Sequence, residues 1–149
     1  MKWDKLGLIF GATGAHQWMR SHASAPLALS LGGDLYRVYF ATRDGSNRSH
    51  LGFVEFDLNR PQEFLNVASE PVLAPGPLGH FDDHGVFASS IVAQGETLLM
   101  YYIGFCPGVR RPLYYTSIGL AQSDDGGESF RKLFRAPIMS RSEYDPCLV

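Results

Sequence analysis

Apolar and polar positions along this chain alternate in short runs. "LYRVYFATR" (35–43), "SHLGFVEFD" (49–57), "VFASSIVAQ" (86–94), "TLLMYYIGF" (97–105) and "SIGLAQS" (117–123) set apolar residues at alternate positions or in brief unbroken stretches. Both patterns predict β-strands, half-buried in the first case and fully buried in the second. The separators are turn chemistry: "LGGD", "GE", "CPGVRRP" and "DDGGE". No segment of useful length keeps a helical period. An aromatic content of 13%, with 16 glycines and 9 prolines, belongs to a strand-rich, turn-rich fold.

The strand pattern repeats. "LYRVYFATRD" matches "TLLMYYIGF", setting Tyr39-Phe40 against Tyr101-Tyr102. "SHLGFVEFD" matches "TSIGLAQSD" (116–124), "FLNVASEPVL" (64–73) matches "FRKLFRAPIM" (130–139), and "FDDHGV" (81–86) matches "YDPCLV" (144–149). The order never changes, and the offset stays between about 62 and 67 residues. Each repeat holds four strand-like pieces, the fourth in the second repeat being "SFRKLFR" (129–135). Four antiparallel strands repeated in this way make β-propeller blades, with longer loops than the shortest blade families have.

The organisation follows. "WDKL" (3–6) matches "FRKL" and "FLNV", so residues 1–18 are expected to form an outer strand and a lead-in. Residues 19–80 then form a first blade, 81–143 a second, and 144–149 the start of a third. The expectation is an all-β chain, a single partial propeller domain, incomplete against the roughly four to eight blades of a ring. Open blade edges would favour self-association.

Composition narrows the function classes. The net charge of −2 offers no bulk attraction to nucleic acid or membrane, and no apolar run is long enough to span a bilayer. "MKWDKLGLIFGATGA" carries Asp4 where a signal peptide would be basic, and Gly7 and Gly11 interrupt its apolar stretch, so it is read as fold, which favours a cytoplasmic location. Cys106 and Cys147 form no CxxC pair and are expected to be plain thiols, and neither a metal nor any other cofactor is expected.

Meander connectivity sorts the loops. The segments entering each first strand and those joining second to third strands share one end: "PGPLGHFDDHG", "SRSEYDP", "RDGSNRSH" and "CPGVRRPLYY". The short turns "LGGD", "QGE" and "SDDGGES" lie at the other. Long polar loops at one end of a rigid scaffold are where binding residues concentrate. Within them, "GHFDDHGVFASS" places two aspartates against an apolar strand, where desolvation is costly unless they are paired or used. The repeat sets Asp82 against Asp145, both at the start of an innermost strand. Carboxylates on neighbouring inner strands can reach the roughly 5–9.5 Å separation that glycoside cleavage requires, and proximity splits their pKa values. The bland reading is that such acids cap turns. Arg43, Arg48 and Arg111 suit sugar hydroxyls or oxyanions. Asp83 and His84 stand beside Asp82, and Tyr115, with Tyr114, is placed to stack on a sugar ring.

Two resemblances add to this. "SDDGGESF" (123–130) resembles the Asp-box of sialidase-type propellers through Ser123, Asp125, Gly127, Ser129 and Phe130, which implies a structural role for Asp125. "YFATRDGSNRSHLGFVEFD", "PVLAPGPLGHFDDHGV", "LLMYYIGF" and "IGLAQSDDGGESF" together resemble the five-bladed propeller glycosidase superfamily of arabinanases, xylosidases, levanases and invertases, with the related mannoside phosphorylases. The resemblance implies part of a five-bladed propeller acting on oligo- or polysaccharide, with Asp82 and Asp145 catalytic. It departs from the pattern at "MRSHASAP", which has Arg20 and His22 but no acid, and the usual Glu would lie past Val149. A non-catalytic glycan- or protein-binding propeller module and a glycoside phosphorylase are the alternatives.

Overall fold

The computed structural model describes Lys2, Lys5, residues 7–110 and residues 113–144. Eight strands form in chain order: β1 (Ser21–Gly32), β2 (Leu35–Arg43), β3 (Ser49–Asp57), β4 (Phe64–Val67), β5 (Gly85–Gln94), β6 (Thr97–Pro107), β7 (Tyr114–Ser123) and β8 (Arg131–Lys132). They make two antiparallel four-stranded meanders, β1–β4 (blade 1) and β5–β8 (blade 2), joined by a single parallel pair, Ser49 with Gly85.

The repeat seen in sequence is also a repeat of register. Tyr39 pairs with Phe53 as Tyr101 pairs with Leu120, and Val54 pairs with Val67 as Ala121 pairs with Lys132. Beyond the fourth strand each chain folds back onto the third. Val72 donates to the Leu51 carbonyl and Leu51 to that of Leu73, and Ile138 and Ile118 repeat the arrangement with Met139.

The main core lies between the blades. Tyr39, Leu51, Phe53, Val72 and Leu73 of blade 1 meet Val86, Ala88, Met100, Tyr102, Ala121 and Phe130 of blade 2. The 123–130 turn locks the two together: Tyr39 donates its hydroxyl to the Gly127 carbonyl (2.8 Å), and Arg37 Nη1 donates to the Gly126 carbonyl (2.9 Å). Arg37 is itself buried, paired with Glu55 and lying 4.4 Å above the Phe53 ring. Gly127 sits at φ +90°, against the Tyr39 hydroxyl, where a side chain has no room.

Two expectations change. The outer strand expected around Trp3–Phe10 does not form over Gly7–Phe10; Trp3, Asp4 and Leu6 lie outside the described residues. Instead the 7–18 segment covers the second face of blade 1, where Phe10 and Trp18 pack on Phe40, Val54 and Phe56. Burying those aromatics on a preformed apolar face outweighs edge pairing by a stretch that contains Gly7 and Gly11. The fourth strand of blade 2 is also shorter than "SFRKLFR" suggests, because the 123–130 turn occupies Ser129 and Phe130 and the edge pairing closes with the Leu133 amide on the Leu120 carbonyl (2.9 Å).

Candidate functional site

The two ends of the blades differ as the meander connectivity requires. At one end the short turns meet: Asn59 bonds Asp34, and Thr97 bonds Asp124. Arg43 pairs with Ser49, whose amide donates to the His84 carbonyl, so these three share the opposite, polar end. Asp125 stays at the short-turn end. Its carboxylate accepts from the Ser123 and Ser129 hydroxyls (both 2.6 Å) and the Ser129 amide. Burial raises its pKa, but these donors override burial and hold it at about 2.

The β2–β3 loop is organised by Asp44. Its Oδ1 accepts the Ser46 and Arg48 amides at 2.8 and 2.9 Å, and its Oδ2 accepts Arg48 Nε (3.1 Å) and pairs with His50 Nε2 (3.0 Å). Burial would raise the Asp44 pKa; His50 and the two amides outweigh it and hold the carboxyl at about 2. Arg43 closes the loop by donating to the Asn47 carbonyl (2.8 Å), and Asn47 adopts φ +64°. Arg48 is thus half committed to the loop, its side chain 48% exposed. His50 is buried, and among the described residues its Nδ1 has no hydrogen-bond partner.

Asp82 answers the question its position raises. It is 1% exposed, and its Oδ2 takes Lys132 Nζ at 2.5 Å and the Tyr102 hydroxyl at 3.1 Å. Gly104 lies beneath it, close against the Asp82 Cβ and the Phe81 ring, which a side chain at 104 would displace. Burial, then the Asp82 charge and its hydrogen bond, drives the Tyr102 pKa far upward, so Tyr102 remains a donor. A cavity of about 330 Å³ lined by His80, Phe81, Asp82, Lys132 and Arg135 adjoins the pair. In this arrangement Asp82 is the buried half of an ion pair that ties the interblade connection to the outer strand. Asp83 turns the other way and accepts the Gly79 amide (2.8 Å). Asp145 and Arg111 lie outside the described residues, so the expected Asp82–Asp145 pair does not enter the geometry.

His84 stacks on Tyr114 (5.9 Å between rings, 28°), and both meet Phe105 edge-on. Tyr114 is 40% exposed and presents a ring face at the polar end. Tyr115 pairs with Cys106 across β6–β7 and lies under the Arg141 guanidinium at 4.2 Å. Burial, then Asp83, raises the Cys106 pKa, which makes it a poor nucleophile at neutral pH. The polar end therefore gathers Arg43, His84 and Tyr114, with Tyr115 beside Arg141. Asp82 belongs to the interblade core.

Sequence reasoning missed several contributors. Lys132 carries no motif; only the register of β8 places it over Tyr102. His50 is the second residue of β3, two positions after Arg48 of the loop, a weak signal beside the loop residues. The β1 start was noted for its missing acid, but its shape was not foreseen. His22 and Ala25 take φ of +67° and +49°, the β1–β2 register shifts around Ser24, and Ser21 Oγ lies 2.9 Å from His22 Nδ1.

Comparison with known proteins places this geometry. No family profile matches the chain. The uncharacterized proteins MT1551 and Rv1502, from two strains of Mycobacterium tuberculosis, are each 42% identical over 146 residues, 98% of this chain and 48% of the relative. The chain thus spans about half the length of the curated relatives it matches. Among solved structures, Zg3597, a family 117 glycoside hydrolase from the marine bacterium Zobellia galactanivorans, is similar with a TM-score of 0.64 and 18% identity over 88% of this chain and 37% of that chain. The Bombyx mori GH32 beta-fructofuranosidase BmSUC1 is similar with a TM-score of 0.52 and 21% identity, covering 83% of this chain and 25% of that one. A mutant of it in complex with sucrose gives 0.55 at the same identity and coverage. The chain has the all-β fold of propeller blades.

Proposed function

We propose that this chain supplies two blades of a carbohydrate-active propeller of the glycoside hydrolase type, with the polar end as its oligosaccharide-binding face. The observation that carries this is the grouping there of a guanidinium, an imidazole and an exposed, stacked tyrosine: Arg43, His84 and Tyr114. Aromatic faces stack on the apolar side of a sugar ring, and guanidinium and imidazole donors take its hydroxyls. Solved structures that share the fold are glycoside hydrolases by their own descriptions, which supports the same substrate class for this chain. In that scheme Asp82 and Asp145 are the proposed carboxylate pair; Arg48, Asp83, Arg111 and Tyr115 are the proposed secondary contacts.

A second reading has a specific observation in its favour. Because Asp82 is 1% exposed and bound to Lys132, it can reach a substrate only if Lys132 withdraws. That favours a glycan-binding role for these two blades, with bond cleavage, by water or by phosphate, residing in other blades. Calorimetric titration of the 149-residue chain with an oligosaccharide panel, alongside aryl glycosides with and without phosphate, tests both. The expected result is binding without turnover. Tyr114→Ala and Arg43→Ala should each weaken binding by about tenfold, the equivalent of one lost charge-assisted or stacking contact, with both variants still folded by circular dichroism at the temperature of the titration. Absence of binding across the panel would refute the carbohydrate assignment. Turnover lost in Asp82→Asn would restore Asp82 to the chemistry.

A further inference from the structure

Each blade carries a cavity on the same face, and the two cavities differ in chemistry. Phe40 of β2 and Tyr102 of β6 hold matching places in the repeat, and register sets Val67 of β4 where Lys132 of β8 stands. In blade 1 the 7–18 segment covers this face. The cavity between them, about 360 Å³, is lined by Phe10, Phe40, Val54 and Phe56, with no charged side chain among the described residues. In blade 2 the connection into β5 covers the face. The cavity there, about 330 Å³, takes His80 from the connection, Lys132 from β8 and Arg135 from the stretch that follows. Apolar contact is all that the blade needs at this place, since Val67 packs with Phe40, Val54 and Phe56. The cations of blade 2 are an addition to that pattern.

Asp82 accounts for only one of them. Lys132 Nζ lies against its carboxylate at 2.5 Å, yet that nitrogen is screened from solvent and has no well-directed hydrogen bond among the described residues. A buried ammonium with unassigned protons is costly unless an acceptor arrives. His80 is fixed through its backbone amide, which donates to the Pro77 carbonyl, and its ring is left to the cavity. Arg135 is exposed at the rim, with no ion pair among the described residues. Lys132 and Asp82 cancel in charge, so Arg135 leaves the cavity net positive. Phe81, Leu133 and Phe134 supply apolar walls, which concentrate that field. Moving Nζ about 1 Å toward the cavity still keeps it within the roughly 4 Å of an ion pair with Asp82.

We propose that this cavity is a binding site for the phosphoryl group of a small molecule, held by the Arg135 guanidinium, the His80 imidazole and the spare protons of Lys132. Three donor groups from separate positions suit the three terminal oxygens of a phosphoryl group better than the two of a carboxylate, and guanidinium and ammonium are the side chains that best take phosphate. The volume lies at the lower end of the roughly 300–1,000 Å³ of small-molecule sites, and its aromatic walls favour a phosphate monoester with a compact body over the bare ion. The site is one of binding, and no bond cleavage is assigned to it. It is independent of the carbohydrate reading, because none of Arg43, His84 and Tyr114 lines the cavity.

The test is calorimetric titration of the 149-residue chain with inorganic phosphate, phenyl phosphate and benzoate, at about 150 mM salt to screen surface attraction. Both phosphates are expected to bind, and benzoate about tenfold more weakly than phenyl phosphate. Phenyl phosphate binding more tightly than inorganic phosphate assigns the site to a monoester; equal binding assigns it to the free ion. Lys132→Met also removes the Asp82 pair and threatens the fold, so Arg135 and His80 carry the mutational test. Arg135→Ala should weaken phenyl phosphate about tenfold or more and His80→Ala about threefold, the ranges for a charge-assisted and a neutral hydrogen bond. Arg131→Ala removes the same charge from the same stretch, but Arg131 lies by Asp124 (3.8 Å) and lines a different cavity, so it should leave binding unchanged. Circular dichroism confirms that each variant is folded. No binding of either phosphate, benzoate as tight as phenyl phosphate, or an Arg131→Ala loss equal to that of Arg135→Ala would each overturn the proposal.

Discussion

Replacing Lys132 with methionine isolates the contact on which the interblade connection turns. Met keeps the length and most of the volume of the lysine stem and deletes its charge. Asp82 would then remain at 1% exposure with, among the described residues, the Tyr102 hydroxyl, 3.1 Å away, for a side-chain partner. On its inner side it is closely packed: the Phe81 ring stacks on Tyr102 at 6.0 Å, and Gly104 leaves no gap beneath it. Removing one member of a buried ion pair costs about 3–5 kcal/mol, because the surviving charge stays desolvated. For a chain of this length that is a fall in thermal midpoint on the order of 10 °C. Asp82→Asn should be milder, about 1–2 kcal/mol, because the Lys132 side chain is 23% exposed and can carry its ammonium to water. The double variant should recover a large part of the loss, giving a coupling energy of about 2 kcal/mol. Urea denaturation of the four proteins measures this directly. If Lys132→Met costs under about 1 kcal/mol, or if the two changes are additive, the pair is not holding the connection. Asp82 would then be free for the chemistry that its place in the repeat suggests.

Two further outcomes follow from the loops at each end. The folded pKa of Asp44 is depressed from 3.8 to about 2, so its contribution of about 2 kcal/mol is complete above pH 4 and is lost as pH falls through 3.8 toward 2. Asp44→Asn should remove that acid dependence in pH-resolved urea titrations; an unchanged acid limb would mean that other groups set it. Gly127→Ala demands a side chain at φ +90° against the Tyr39 hydroxyl and should cost more than about 2 kcal/mol, whereas Gly126→Ala, at φ +72° with open space around it, should cost about 1 kcal/mol. Equal effects at the two glycines would show that backbone strain alone, not the lock onto Tyr39, sets the cost.

What the sequence determined by itself is the strand repeat and its polarity. Strand period, turn residues and constant offset are local properties, so β2, β3 and β5–β7 and the sorting of loops into two ends were legible in the sequence, whereas the bounds of β1 were not. The Asp125 turn was legible as well, because its donors lie within a few residues of the acid. What only the tertiary structure decided is who meets whom across the sheets. The partner of Asp82 is Lys132, 50 positions away by number on an edge strand of two residues, and the ring that His84 stacks on comes from the first residue of β7. The match of "WDKL" to the fourth strands predicts an outer strand around Trp3–Phe10, yet no strand forms over Gly7–Phe10 and residues 7–18 pack on blade 1. An amphipathic stretch records that one side must be buried and leaves open against what; that is set by which apolar surface the rest of the fold leaves uncovered.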